Sequence, residues 1–141
     1  MEQFLYPQVG ANKLADIVKT ALANAEVHLI KDNISLTAAT VLADLTAIEA
    51  DYDGYAAKTV TAWIGTYEDP AGGASIRSGE LDFTYVPAVP PVVDTNNIYG
   101  FWVETAAGVL IVAATFGTPV PVGVGHTLFP LTVVLNYGRA A

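Results

Sequence analysis

A chain of 141 residues is the usual size of one domain, and with 52% hydrophobic residues it can build a core and is not disordered as a whole. The formal charge is −8, from 14 acidic and 6 basic residues, and Lys13, Lys19, Lys31, Lys58, Arg77 and Arg139 are scattered. That excludes the basic patch needed to displace counterions from nucleic acid or to bind an anionic membrane. Only 14% of residues are charged, against about a quarter in ordinary domains.

Elements can be read in chain order. Met1 to Pro7 has neither a basic nor an apolar leader region, so no signal peptide is expected. Leu14, Ile17, Val18, Ala21, Leu22 and Ala25 recur at helical spacing, which predicts an amphipathic helix over about 12–25, capped by Asn12. The period then changes to two: Val27-His28-Leu29-Ile30 reads as a strand and Asp32-Asn33 as a turn. From Thr40 to Asp53 a short helix and a long loop fit equally well. Thr59 to Ile64 and Glu80 to Val86 read as strands, and Pro87, Pro90 and Pro91 forbid central-strand pairing. Ile98 to Val103 and Val109 to Phe116 form a hairpin turning near Ala107-Gly108. Thr118 to Gly125 is broken by Pro and Gly, and Thr127 to Leu135 is a last strand. The apolar run Ala106 to Phe116 is too short for a membrane helix, which needs roughly 20 residues.

One helix followed by six to eight short strands, without βαβ alternation, predicts a mainly β fold. The expected class is an antiparallel β-sandwich or barrel-like domain, jelly-roll-like among the options, with one N-terminal amphipathic helix. The chain reads as a single domain over 1–141, β-rich from 27 to 137.

Chemistry-bearing signals are sparse. The two histidines, His28 and His126, stand far apart, with no Gly-x-Ser-x-Gly elbow and no zinc-ligand spacing. Ser35, Ser75 and Ser78 are the serines a triad would draw on. Glu49-Ala50-Asp51-Tyr52-Asp53-Gly54 opens like a calcium loop, but Val60 stands where the bidentate Glu is required. Gly123-Val124-Gly125 lacks the third glycine of a dinucleotide fingerprint. No catalytic residue, metal ligand or cofactor is therefore expected. With no cysteine, disulfides are excluded. Tyr99-Gly100-Phe101-Trp102 puts aromatics on both faces of one strand, so at least one face must be covered, by a second sheet or by a neighbouring subunit; in the second case Tyr99, Phe101 and Trp102 are the interface candidates.

The order of features resembles a diffuse group of small virion structural proteins of tailed bacteriophages. The residues that carry the likeness are Val27-His28-Leu29-Ile30 running into Lys31-Asp32-Asn33, then Leu45-Thr46-Ala47-Ile48 before Tyr52-Asp53-Gly54-Tyr55-Ala56. They continue with Ile98-Tyr99-Gly100-Phe101-Trp102-Val103 and its hairpin to Val109-Leu110, and end with Leu128-Phe129-Pro130-Leu131-Thr132-Val133. Ile34-Ser35 departs from the pattern, where a proline-containing turn is commoner. The resemblance implies a non-enzymatic particle protein: a capsid decoration or cement protein on the outer surface of the virion, made in the host cytoplasm. It would be a homo-oligomer, a trimer by preference, bound to the major capsid protein, without nucleic acid or membrane partners. The competing reading is a receptor- or glycan-binding module of a fibre or tail, displayed on the loops at 67–75 and 87–97.

Overall fold

The structure is a computed structural model that describes residues 8–66, 74–87 and 95–137; at 8–11, 66, 74, 95 and 137 only the backbone is described. It is mainly antiparallel β, with 46% strand and 14% helix, as the periodicities predict. The elements in chain order are α1 (Gln8–Ala21), β1 (Ala25–Ile30), α2 (Leu42–Thr46), β2 (Lys58–Val60), β3 (Ile64–Thr66), β4 (Ala74–Arg77), β5 (Leu81–Thr84), β6 (Thr95–Glu104), β7 (Leu110–Gly123), β8 (Leu128–Leu131) and β9 (Val134–Tyr137). They gather into two compact units, each assembled from separate stretches of chain.

One unit holds α1 against the three-stranded sheet β3-β4-β9. The helix begins at Gln8 and runs through Gly10, earlier than the expected cap at Asn12, and ends at Ala21. Asn24 then takes a left-handed backbone, φ 61°, which asparagine tolerates better than most residues. The buried face of α1 is Ala15 with half-buried Val18, continued by buried Leu22 just past its end, whereas Leu14 and Ile17 lie outward. Helical spacing was legible, but two adjacent apolar stripes competed and the smaller side chain won the closer contact. Trp63, Ile76 and Val133 complete this core, and Trp63 Nε1–H donates to the Leu22 carbonyl at 2.8 Å.

The other unit is built on the sheet β2-β1-β6-β7 and the strand pair β5-β8. The register places Glu26 opposite Glu104, His28 opposite Trp102 and Ile30 opposite Gly100. Because side chains alternate, Glu26, His28 and Ile30 share one face of β1. There Ile30, Leu45 and Trp102 form a core, with Ile34, Leu42, Ile48 and Tyr99 against it. Elsewhere in this unit a train of rings runs from Phe101 to Phe116, Phe129, Phe83, Tyr55, Tyr52 and Tyr85 at centroid spacings of 5.3–6.3 Å. Edge-to-face and offset contacts at such spacings add to plain area burial.

Three expectations from the sequence are corrected. Thr59 to Ile64 is two strands, because the chain bends at Thr61-Ala62 and passes to the other unit. Thr127 to Leu135 is likewise split at Thr132-Val133. Thr118 to Gly125 belongs largely to β7, which continues to Gly123 despite Pro119 and Pro121. Its place at the edge of the sheet explains this, since an edge strand has a side that needs no N–H donors. Where Ile98 pairs Val120 and Gly100 pairs Thr115, residues 116–119 bulge out opposite Tyr99 alone.

The β6–β7 hairpin turns where its residues predict. Gly108 has φ +83°, its N–H donates to the Thr105 carbonyl at 2.8 Å, and Thr105 Oγ1 accepts from the Val109 amide at 3.1 Å.

Candidate functional site

β1 and β6 bring together a histidine and three carboxylates. Glu26 and His28 are two residues apart on β1, and Glu104 closes β6 directly opposite Glu26. Glu49 arrives from the segment after α2, which docks along β1. The Lys31 amide donates to the Ile48 carbonyl, and the Ala50 amide to the Leu29 carbonyl, both at 2.9 Å. The resulting bridge sets Glu49 opposite Ile30, so its side chain emerges on the face that carries His28.

His28 is 8% exposed, and its ring stacks on Trp102 with centroids 4.6 Å apart and planes 4° from parallel. Its Nδ1 lies 2.7 Å from Glu49 Oε1. An ionised carboxylate can only accept, so Nδ1 carries the proton and donates. The Tyr55 hydroxyl donates to the same Glu49 oxygen at 3.1 Å and accepts from the Leu29 amide at 3.1 Å. A backbone group of β1 thus fixes Tyr55, Tyr55 fixes Glu49, and Glu49 fixes the imidazole.

On the far side of the ring, Nε2 lies 2.5 Å from Glu104 Oε1 and 3.3 Å from Glu26 Oε2. Both distances are short, yet among the described residues the buried Nε2 has no hydrogen bond of acceptable direction. The ligand atoms of Glu26, His28 and Glu104 all lie within 4.8 Å of one another, close enough to hold one cation.

Burial also acts on the tyrosines here. It pushes the Tyr52 hydroxyl from 10.0 up to about 12. Burial raises Tyr55 well above the ordinary range too; Glu49 adds to the rise and the Leu29 amide opposes it. A raised folded-state value favours the neutral form in the folded chain. The corresponding stability is complete below pH 10 and is lost as the pH climbs through 12. Alkaline titration should therefore show unfolding that begins near pH 10, with Tyr52→Phe shifting its onset upward.

The other sequence candidates fall elsewhere. His126 is exposed in a tight turn, where it exchanges backbone hydrogen bonds of 2.9 and 3.0 Å with Gly123. Ser78 Oγ donates to the Gly79 carbonyl and accepts from the Val133 amide. The acids of the Glu49–Gly54 string diverge: Glu49 turns to His28, and Asp51 pairs with Lys31 at 2.7 Å, which raises the lysine pKa. Tyr99 and Phe101 are half-buried, while Trp102 is 1% exposed. Trp102 is therefore withdrawn as an interface residue, because it points into the α2-side core and onto His28.

The two histidines show no ligand spacing between them, but Glu26 and His28 stand at i and i+2, which on a strand puts two ligands on one face. Compared with protein-family models, curated proteins and solved structures, the chain matches none.

Proposed function

We propose that this chain is a non-enzymatic structural subunit of a bacteriophage virion. It decorates the outer capsid surface, associates with copies of itself, a trimer by preference, and binds the major capsid shell. The phage setting is supported by the resemblance in the sequence, and a low charged fraction of 14% suits a surface partly covered by partners.

The observation that carries the assembly reading is the outer edge of β7. This 14-residue strand ends the four-stranded sheet, and among the described residues no strand lies on its far side. Monomeric proteins blunt such edges with charges, prolines or short length. β7 has no charged residue, and its prolines 119 and 121 protect only its distal half. Beside and within its proximal half, Val109 and Ile111 are 57% and 45% exposed. A long, uncharged, apolar edge is a template for pairing with another chain. The proposed contact lies on the strand next to the one that carries Tyr99 and Phe101.

Sedimentation equilibrium of the purified chain should show a closed oligomer, and Ile111→Lys should shift it towards monomer while the circular dichroism spectrum is kept. Unaltered association in a folded Ile111→Lys chain would refute the β7 edge as the contact. The loops at 67–75 and 87–97, on which a glycan-binding reading depends, lie largely outside the described residues.

A further inference from the structure

The cluster on β1 and β6 has an unbalanced electrostatic arrangement. With its proton on Nδ1, His28 presents a bare lone pair at Nε2. Facing it are Glu104 Oε1 at 2.5 Å and Glu26 Oε2 at 3.3 Å, which also offer only lone pairs. Three acceptors converge on one point, and something positive belongs among them. Among the described residues, no lysine or arginine ion pair reaches Glu26, Glu49 or Glu104. A second proton on Nε2 would need a well-directed N–H···O bond, which the ring does not make among the described residues even though its side chain is nine-tenths buried.

We propose that Glu26, His28 and Glu104 bind one divalent first-row cation, Zn2+ by preference, and that Glu49 orients the ligating imidazole. The site goes beyond the virion reading and does not rest on it.

Four features support the assignment. The arrangement carboxylate–imidazole–metal, with the outer ring nitrogen donating to an acid, is how ligating histidines are held in their tautomer. Here Glu49 is that acid, and Tyr55 in turn holds Glu49. The dimensions also fit. Tetrahedral zinc with bonds near 2.0–2.1 Å keeps its ligand atoms roughly 3.3 Å apart. The Nε2 to Glu26 spacing is already 3.3 Å, and the Glu104 carboxylate needs to withdraw by only about 0.8 Å from its 2.5 Å contact. The donor set selects the metal, since one imidazole with two carboxylates suits Zn2+ over the all-oxygen preference of Ca2+ and Mg2+. Finally, the Glu26 side chain is 48% exposed, which gives the ion a route in and leaves room for water as a fourth ligand.

The role that follows is structural. An ion at this point would tie the end of β6 to β1 and, through Glu49, to the segment after α2, which is the frame that holds Trp102.

The test uses the full, untagged chain, stripped with chelator and titrated with zinc chloride by calorimetry. The expected result is one equivalent of Zn2+, with Glu26→Gln and Glu104→Gln each weakening binding at least tenfold. Glu49→Gln should weaken it by about 10- to 100-fold, the usual loss for an orienting partner. His126→Asn should leave it unchanged. Proton–nitrogen spectra of the histidine rings should show the Nε2 resonance of His28 moving on zinc addition, a readout that general destabilisation would not produce. Glu26 is half-exposed, so its Gln variant should fold and keeps the test open if Glu104→Gln does not. The proposal is overturned if zinc does not bind, if folded Glu26→Gln binds as tightly as the parent, if His126→Asn removes the binding, or if His28 Nε2 carries a proton at saturating zinc.

Discussion

Trp102→Ala should destabilise the chain by about 3–5 kcal/mol, the cost of emptying an aromatic site in a core that cannot collapse around it. Trp102 is 1% exposed, packs with Ile30 and Leu45, and carries the stacked ring of His28. Its loss removes apolar contact on one side and the support of a buried polar ring on the other. Small domains are stable by only about 5–15 kcal/mol, so the variant should be largely unfolded or melt far below the parent. Trp102→Phe should cost much less. It keeps a ring against His28 and deletes an indole N–H that has no acceptor among the described residues. Thermal melts of the three chains check the order. Equal losses for Ala and Phe would contradict the account of the stack.

Gly100→Ala should be nearly as damaging, through crowding where Trp102→Ala creates a void. A Cβ at position 100 would stand 2.2 Å from the Ala114 carbonyl oxygen and 3.0 Å from the Thr115 Cα. Both obstacles are backbone, so no side chain can rotate away. Strand β6 would have to separate from β7 beside the bulge at 116–119, pressing it towards Ile30 of β1 on its other side. Overpacking of this kind costs about 1–3 kcal/mol, and more where backbone must move. Gly117, in the bulge itself, has nothing among the described residues within 4 Å of its would-be Cβ. Gly117→Ala is therefore the control and should be close to neutral in the same denaturant titration. A neutral Gly100→Ala would mean that β6 and β7 do not approach as described.

The sequence showed the fold class because local signals carried it. Alternation from Val27 to Ile30, β-branched and aromatic runs, and Thr105 to Val109 with its glycine all led to the right local structure. It was least informative where tertiary position overrode propensity. Pro119 and Pro121 argue against a strand in any central position and are tolerated in β7 only because it lies at an edge. Trp63 and Val133 lie where the chain passes between units, a division that leaves no composition shift behind. The candidate site was half legible. Glu26 and His28 are two apart on a strand, which is enough to place both on one face. Glu104 and Glu49 joined them through the β1–β6 register and the docking of residues 48–50 on β1, and neither pairing can be read from one chain. The aromatics at 99–102 were equally ambiguous. Alternation says that Phe101 and Trp102 face opposite ways, but not that both faces of this strand are covered.

The central claim is attachment to a capsid shell, and the most direct measurement is binding of the purified chain to expanded phage shells that lack it. The shells should gain mass in sedimentation to a fixed, saturable number of copies, with density of the subunit on their outer surface by electron microscopy. A chain that remains monomeric at every concentration and leaves the shells unchanged would contradict the account.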